Sequence, residues 1–197
     1  VMAIGQKMMP GDPLDPKTQM GAMVDENQTR RVMGYIEAGQ KEGAKLAMGG
    51  KQVHIDNAGS FIEPTVFDNV DNKMKIAQEE IFGPVLAVIK VRDFEEGLAV
   101  ANNTEYGLTG SVFTHDEAKK QRCRRDFHVG NFYINRKCTG ALVGAHPFGG
   151  FNMSGTDSKA GGPDYLLQFL LPRTVTENQM RRGFAPEPES PQAGAGE

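Results

Sequence analysis

Val85-Leu86-Ala87-Val88-Ile89-Lys90-Val91, followed by Arg92-Asp93-Phe94-Glu95-Glu96, decides the fold. The first seven residues are almost continuously apolar and β-branched, the pattern of a strand buried on both faces. Asp93 reads as a helix cap with Glu96 three residues on as its capping-box partner, so a helix runs through Leu98, Ala99 and Val100 to about residue 103. Leu108 to Thr114 is a second strand, Asp116 opens a second helix rich in Lys and Arg that ends near Phe127, and Val129 to Asn135 is a third strand. Strand, helix, strand, helix, strand with short joins predicts a βαβαβ unit, hence an α/β fold with three parallel strands and right-handed crossovers.

In such a sheet ligands lie beyond the carboxyl ends of the strands. The third strand runs into Arg136-Lys137-Cys138-Thr139-Gly140-Ala141 and then into Pro147-Phe148-Gly149-Gly150-Phe151-Asn152-Met153-Ser154-Gly155-Thr156-Asp157-Ser158-Lys159-Ala160-Gly161-Gly162-Pro163-Asp164-Tyr165. Glycine, proline and small polar residues on this scale exclude an ordinary helix or strand. Two readings stand: a ligand-facing loop ordered by Phe148, Phe151 and Tyr165, or a structural crossover with glycines at its turns. The position after the third strand favours the first.

Upstream, Pro10, Gly11, Asp12, Pro13, Asp15 and Pro16 make residues 8–25 irregular. Val32, Met33, Ile36, Ala44, Leu46 and Ala47 form an apolar stripe that predicts a helix from Glu26 to Ala47, ended by Gly49-Gly50. Residues 51–60 read as a surface hairpin or loop, and Phe61 to Phe67 as a short strand broken by Pro64. Downstream, Asp164 to Leu171 predicts a short helix stopped by Pro172, and Arg173 to Glu177 a terminal strand. Residues from Gly183 onward hold too little apolar surface to order themselves.

The apolar fraction of 39% and charged fraction of 24% are ordinary for a soluble globular protein. A net charge of −3 suggests neither nucleic acid nor an acidic membrane as partner. No apolar run approaches the ~20 residues that span a bilayer, and the start lacks a signal-peptide core. A first residue of Val hints at a fragment or a processed chain. Cys123 and Cys138 are too few for a disulfide framework, so a reducing cytoplasm is the expected compartment. His54, His115, His128 and His146 stand singly, and no metal-ligand spacing occurs.

Three groups carry candidate chemistry. Glu79 and Glu80 are adjacent on an extended segment and point to opposite sides, so one can face a pocket while the other faces solvent. A carboxylate near Phe82 suits a pair of sugar hydroxyls and a flat ring; the alternative is two solvated acids before a strand. Cys138 lies in the loop beside Arg136 and Lys137 as a possible nucleophile, or else is a packed or incidental thiol. The amides of Gly140 and Ala141 form either a nest for an anion or a tight turn.

The strings Glu79-Glu80-Ile81-Phe82-Gly83-Pro84, Pro147-Phe148-Gly149-Gly150 and Ser154-Gly155 resemble the aldehyde dehydrogenase superfamily. The longer run from Cys138 to Ala141 and from Gly149 to Tyr165 resembles its L-glutamate γ-semialdehyde (1-pyrroline-5-carboxylate) dehydrogenase branch, and the resemblance covers about residues 1–178. It implies a three-layer αβα architecture with a mainly parallel sheet over residues 1–166, an oligomerisation arm at 167–178 and a disordered tail at 179–197. It also implies NAD as cofactor, with Glu80 on the nicotinamide-ribose hydroxyls and Phe82 beside the nicotinamide. Gly140 and Ala141 would bind the α-carboxylate of glutamate γ-semialdehyde or L-glutamate, and Phe148 would pack on its aliphatic stem.

The family's cysteine nucleophile, general-base glutamate and nucleotide-binding domain lie upstream of the part that matches Val1 onward. Neither Cys123 nor Cys138 matches the nucleophile. The resemblance therefore implies a carboxyl-terminal portion that is inactive alone, partnered by the rest of its parent enzyme and by further copies through residues 168–177. A stand-alone, non-catalytic module that binds an amino-acid carboxylate or a partner chain is the competing expectation. A relative with another aldehyde substrate is a third, and the Gly140-Ala141 loop argues against it.

Overall fold

Asp25 sets the start of the first long helix: its carboxylate accepts from the Gln28 amide at 2.7 Å. The helix, α2 (Glu26–Lys41), follows a one-turn α1 (Met2–Gly5). The computed structural model describes residues 1–177 apart from Met9, Asp56, Asn57 and Asp157. The expected disordered tail at 179–197 lies outside the described residues, as does residue 178 of the expected arm. Among the described residues no helix is long and apolar enough to cross a membrane.

The helix expected to reach Ala47 stops at Lys41. Gly43 takes φ +97°, a left-handed conformation that glycine adopts without a Cβ penalty. The Ala44 amide then reaches back to the Gly39 carbonyl at 2.9 Å. Past this stop the chain enters β1 (Lys45–Met48), so Leu46 belongs to a strand and not to the helical stripe. The hairpin expected at 51–60 is present as β2 (Gln52–Ile55) and β3 (Ala58–Ile62), paired antiparallel. Pro64 separates β3 from β4 (Thr65–Asp68). After the one-turn α3 (Lys75–Gln78) comes β5 (Val85–Ala87).

Strands β1, β4 and β5 form one sheet in that order, β1 antiparallel and β5 parallel to the central β4. Helix α2 packs on it, and between them lies the core: Val32, Ile36, Ile62 and Phe67 are at most 1% exposed, with Tyr35, Ala44, Val70, Ile76 and Ile81 around them. Gly39 lets the helix sit close, because a Cβ there would stand 2.9 Å from Ile76 Cδ1.

The run from Val85 to Val91 is not the doubly buried strand that its composition suggests. The strand Val85–Ala87 lies at a sheet edge, Val88 extends it only by donating to the Phe67 carbonyl (2.9 Å) and accepting from the Val70 amide (3.3 Å), and Leu86 and Val91 are exposed. Nor does β5 lie beside the next strand of the expected βαβαβ unit. Helix α4 (Phe94–Asn102) follows β5, then β6 (Tyr106–Gly107), β7 (Thr109–Val112), α5 (Glu117–Asp126) and β8 (Asn131–Ile134). Strands β7 and β8 pair in parallel from Thr109↔Asn131 to Val112↔Ile134, as expected. The first strand instead takes β4 as its parallel partner, from Thr65↔Val85 to Phe67↔Ala87. The class is α/β, with parallel pairs β4–β5 and β7–β8 in two separate sheets among the described residues.

Both caps hold. Asp93 accepts from the Glu96 amide at 2.9 Å, although the Glu96 carboxylate turns to the Arg92 amide (2.6 Å) and guanidinium (3.0 Å) rather than closing the box. Asp116 accepts from Ala118 and Lys119. At the other end, β9 (Phe151–Asn152) pairs with β6, a single 3₁₀ turn at Leu166–Phe169 replaces the helix expected over Asp164–Leu171, and residues 171–177 pair with no strand among the described residues.

Candidate ligand-binding site

Glu79 and Glu80 follow α3, and both border one cleft rather than dividing between a pocket and solvent; what separates them is their partners. Tyr35 Oη donates to Glu79 Oε2 at 2.8 Å, and Lys75 Nζ lies 3.8 Å from the same oxygen. Glu80 lines a cleft of about 500 Å³ with Tyr106, Leu108, Thr109, Met153 and Ser154. Its carboxylate makes no hydrogen bond or ion pair among the described residues. Such a group accepts from two vicinal hydroxyls without first giving up a protein partner.

The next three residues alternate in what they touch. Ile81 enters the core, Phe82 is 72% exposed, and Gly83 meets Val32, where a Cβ would stand 2.6 Å from Val32 Cγ2. Phe82 adopts φ +54°, an uncommon conformation for an aromatic residue. Gln28 Nε2 holds it there by donating to the carbonyls of Ile81 (3.1 Å) and Phe82 (3.0 Å). Phe82 does not line the cleft that Glu80 lines.

Gly140, Ala141 and Phe148 come together. They line a second cleft of about 570 Å³ with Leu108, Thr109, Tyr133, Cys138 and Thr139. Gly140 has φ +77°, which opens the backbone into the turned form that a nest requires. Arg136 props the loop by donating to the Thr139 carbonyl at 2.9 Å, with its guanidinium 4.7 Å from the centre of the Tyr133 ring. Leu108 and Thr109, at the start of β7, border both clefts, so the one lined by Glu80 and the one lined by Gly140 adjoin.

Cys138 is exposed and lines the second cleft, but no imidazole or carboxylate lines it to serve as base. Cys123 is buried on α5, and burial pushes its thiol pKa up. Among the described residues no group of three or more His, Cys, Asp or Glu gathers as a metal site.

The glycine-rich loop is ordered by contacts between backbones. A Cβ on Gly130 would sit 1.9 Å from the Gly149 carbonyl oxygen, and one on Gly149 would sit 2.4 Å from that of Ser158. These glycines allow main chains to touch, so the crossover reading explains much of the composition while the loop also walls the cleft. Two residues that motif reading missed hold it, Asn131 and Lys159; Tyr133, which lines the cleft, is 7% exposed with a hydroxyl that finds no partner among the described residues. A polar Asn at an inward strand position was the signal available in the sequence.

The chain belongs to the aldehyde dehydrogenase family, whose model matches residues 2–175. It is similar to a 1-pyrroline-5-carboxylate dehydrogenase of Bacillus subtilis, 54% identical over 176 residues that cover 89% of this chain and 34% of that protein. A 1-pyrroline-5-carboxylate dehydrogenase of Geobacillus sp. is 53% identical over 177 residues, 90% of this chain and 34% of that one. Among solved structures, 1-pyrroline-5-carboxylate dehydrogenase from Thermus with bound NAD superposes with a TM-score of 0.81 at 50% identity, covering 86% of this chain and 32% of that chain. Proline utilization A from Bdellovibrio bacteriovorus, inactivated by N-propargylglycine, gives 0.83 at 45% identity, over 92% of this chain and 19% of that one. The chain spans about a third of the length of the curated relatives it matches.

Proposed function

We propose that this chain is the carboxyl-terminal part of the catalytic domain of an NAD-dependent L-glutamate γ-semialdehyde (1-pyrroline-5-carboxylate) dehydrogenase of proline catabolism, a cytoplasmic enzyme. The observation that carries the reading is the convergence of Gly140, Ala141 and Phe148 on one cleft. The amides of Gly140 and Ala141 bind the substrate's α-carboxylate, and the Phe148 ring packs on the aliphatic stem. The aldehyde end then points away from the anchored carboxylate.

The adjoining cleft fits the ribose of NAD. Glu80 accepts from the two ribose hydroxyls, and Phe82 guards the nicotinamide end. NAD, when bound, supplies the hydride acceptor that aldehyde oxidation requires. This chain's own residues bind and orient; none of them is the nucleophile. The apolar strip Leu166, Leu167, Phe169, Leu170 and Leu171 is exposed, which supports an oligomerisation role for residues 168–177 against a second copy.

An NMR titration of the labelled chain with L-glutamate tests the reading. Shifts concentrated at Gly140, Ala141 and Phe148, without NADH formation when pyrroline-5-carboxylate and NAD are supplied, are the expected result. Shifts elsewhere or nowhere in a well-dispersed spectrum would sink the carboxylate anchor, and turnover by the chain alone would sink its assignment as a partial catalytic domain.

A further inference from the structure

A stem-reading ring is useful only if its backbone is held still, and two side chains do that here. Asn131 opens β8 at 9% exposure. Its Nδ2 donates to the Pro147 carbonyl at 2.9 Å, and its Oδ1 accepts from the Gly149 amide at 3.1 Å. The carboxamide thus straddles Phe148, satisfying one donor and one acceptor as a neighbouring strand would. Lys159 Nζ donates to the carbonyls of Gly130 and Gly149, both at 2.8 Å, tying the loop to the strand from the other side. Phe148 itself exchanges two backbone hydrogen bonds of 2.9 Å with Ala160, the residue after that lysine. Every one of these bonds grips main chain, and the ring stays free at the wall of the cleft.

We propose that Asn131 and Lys159 are positioning residues that set substrate selectivity by fixing Phe148 at one depth in the cleft. The cleft then favours an amino-acid stem of the length of L-glutamate over that of L-aspartate. This inference rests on the reading of the cleft given above. The side chains act through Phe148, and neither touches the ligand.

Asn131→Asp is the sharpest probe, because it keeps size and the acceptor but loses the donor to Pro147. In the ligand-free chain, amide exchange at Phe148 and Ala160 should quicken by about tenfold while Ile36 in α2 stays unchanged. The affinity ratio of L-glutamate to L-aspartate should fall by about tenfold in Asn131→Asp and by a similar factor in Phe148→Ala. The double variant should fall no further than Phe148→Ala alone, since both changes remove one effect. Lys159→Met should reproduce the exchange change. Unchanged exchange at Phe148 and Ala160, or additive losses in the double variant, would overturn the proposal. If the wild-type chain binds no L-glutamate although exchange at Phe148 responds to Asn131→Asp, the selectivity role falls through the functional reading and not through the clamp.

Discussion

The α2–β1–β4–β5 unit and the stretch from Thr139 to Glu177 are held by different physics. In the first, side chains from a helix and a sheet interdigitate, and Val32, Ile36 and Phe67 lose essentially all contact with water. In the second, main chains touch across glycines, and the order comes from hydrogen bonds to Asn131, Lys159 and Ala160. Burial is non-directional and tolerates exchange of one apolar residue for another. Backbone contact is directional and admits no Cβ. The first arrangement supplies stability, and the second holds the backbone on both sides of Phe148.

Substitutions should separate the two. Phe67→Ala, at the centre of the core, should lower unfolding free energy by about 3–5 kcal/mol, read by urea titration. A loss under about 1 kcal/mol would show that the core is not the main support. Gly130→Ala should cost about 1–3 kcal/mol, because the methyl would overlap the Gly149 carbonyl oxygen and the loop must lift. Its main effect should be local, as faster exchange at Phe148 and Ala160 with α2 protected. Equal loss of protection in α2 would mean that the two regions unfold as one.

The sequence made some of this legible and hid the rest for identifiable reasons. Asp93 and Asp116 were readable as caps because capping is local, and β7 and β8 were readable as a parallel pair because α5 fills the space between them. The partner of β5 was not readable. Val85 to Val91 looks the same at a sheet edge as at its centre, and only the neighbour at Thr65 to Phe67 decides between them. The end of α2 was misjudged because Gly43 was outweighed by an apolar pattern at Leu46 and Ala47 that a strand shares. Gly140, Ala141 and Phe148, singled out by their motifs, line one cleft. Asn131 offered only the hint of a polar residue at an inward strand position and Lys159 none, because their partners are backbone atoms whose sequence identity carries no signal.

The smallest expected effect comes from charge. Asp68 is held below the ordinary carboxylate range by the Asn69 amide and then by Lys90. Glu96 is held low by the Arg92 amide and guanidinium, Glu117 by Gln121, Lys120 and Arg124, and Asp126 by Arg125. Each folded pKa lies below its unfolded value, so the unfolded chain takes up protons first as pH falls. The stabilisation is complete above the ordinary carboxylate range and is lost as pH drops through the lowered values. Three of the four acids lie on α4 and α5, and the fourth ends β4. Acid should therefore loosen the α4–α5 layer before the α2–β1–β4–β5 unit, which carries only Asp68 of the four. All four are solvent-facing, so the change should be modest and should shrink in about 1 M salt, where screening is short-ranged. Exchange-detected NMR in acid titrations at low and high salt checks this. Loss of α2 protection ahead of α4 and α5 would put the pH-sensitive element in the packed unit, and an acid response indifferent to salt would take it away from these four exposed acids.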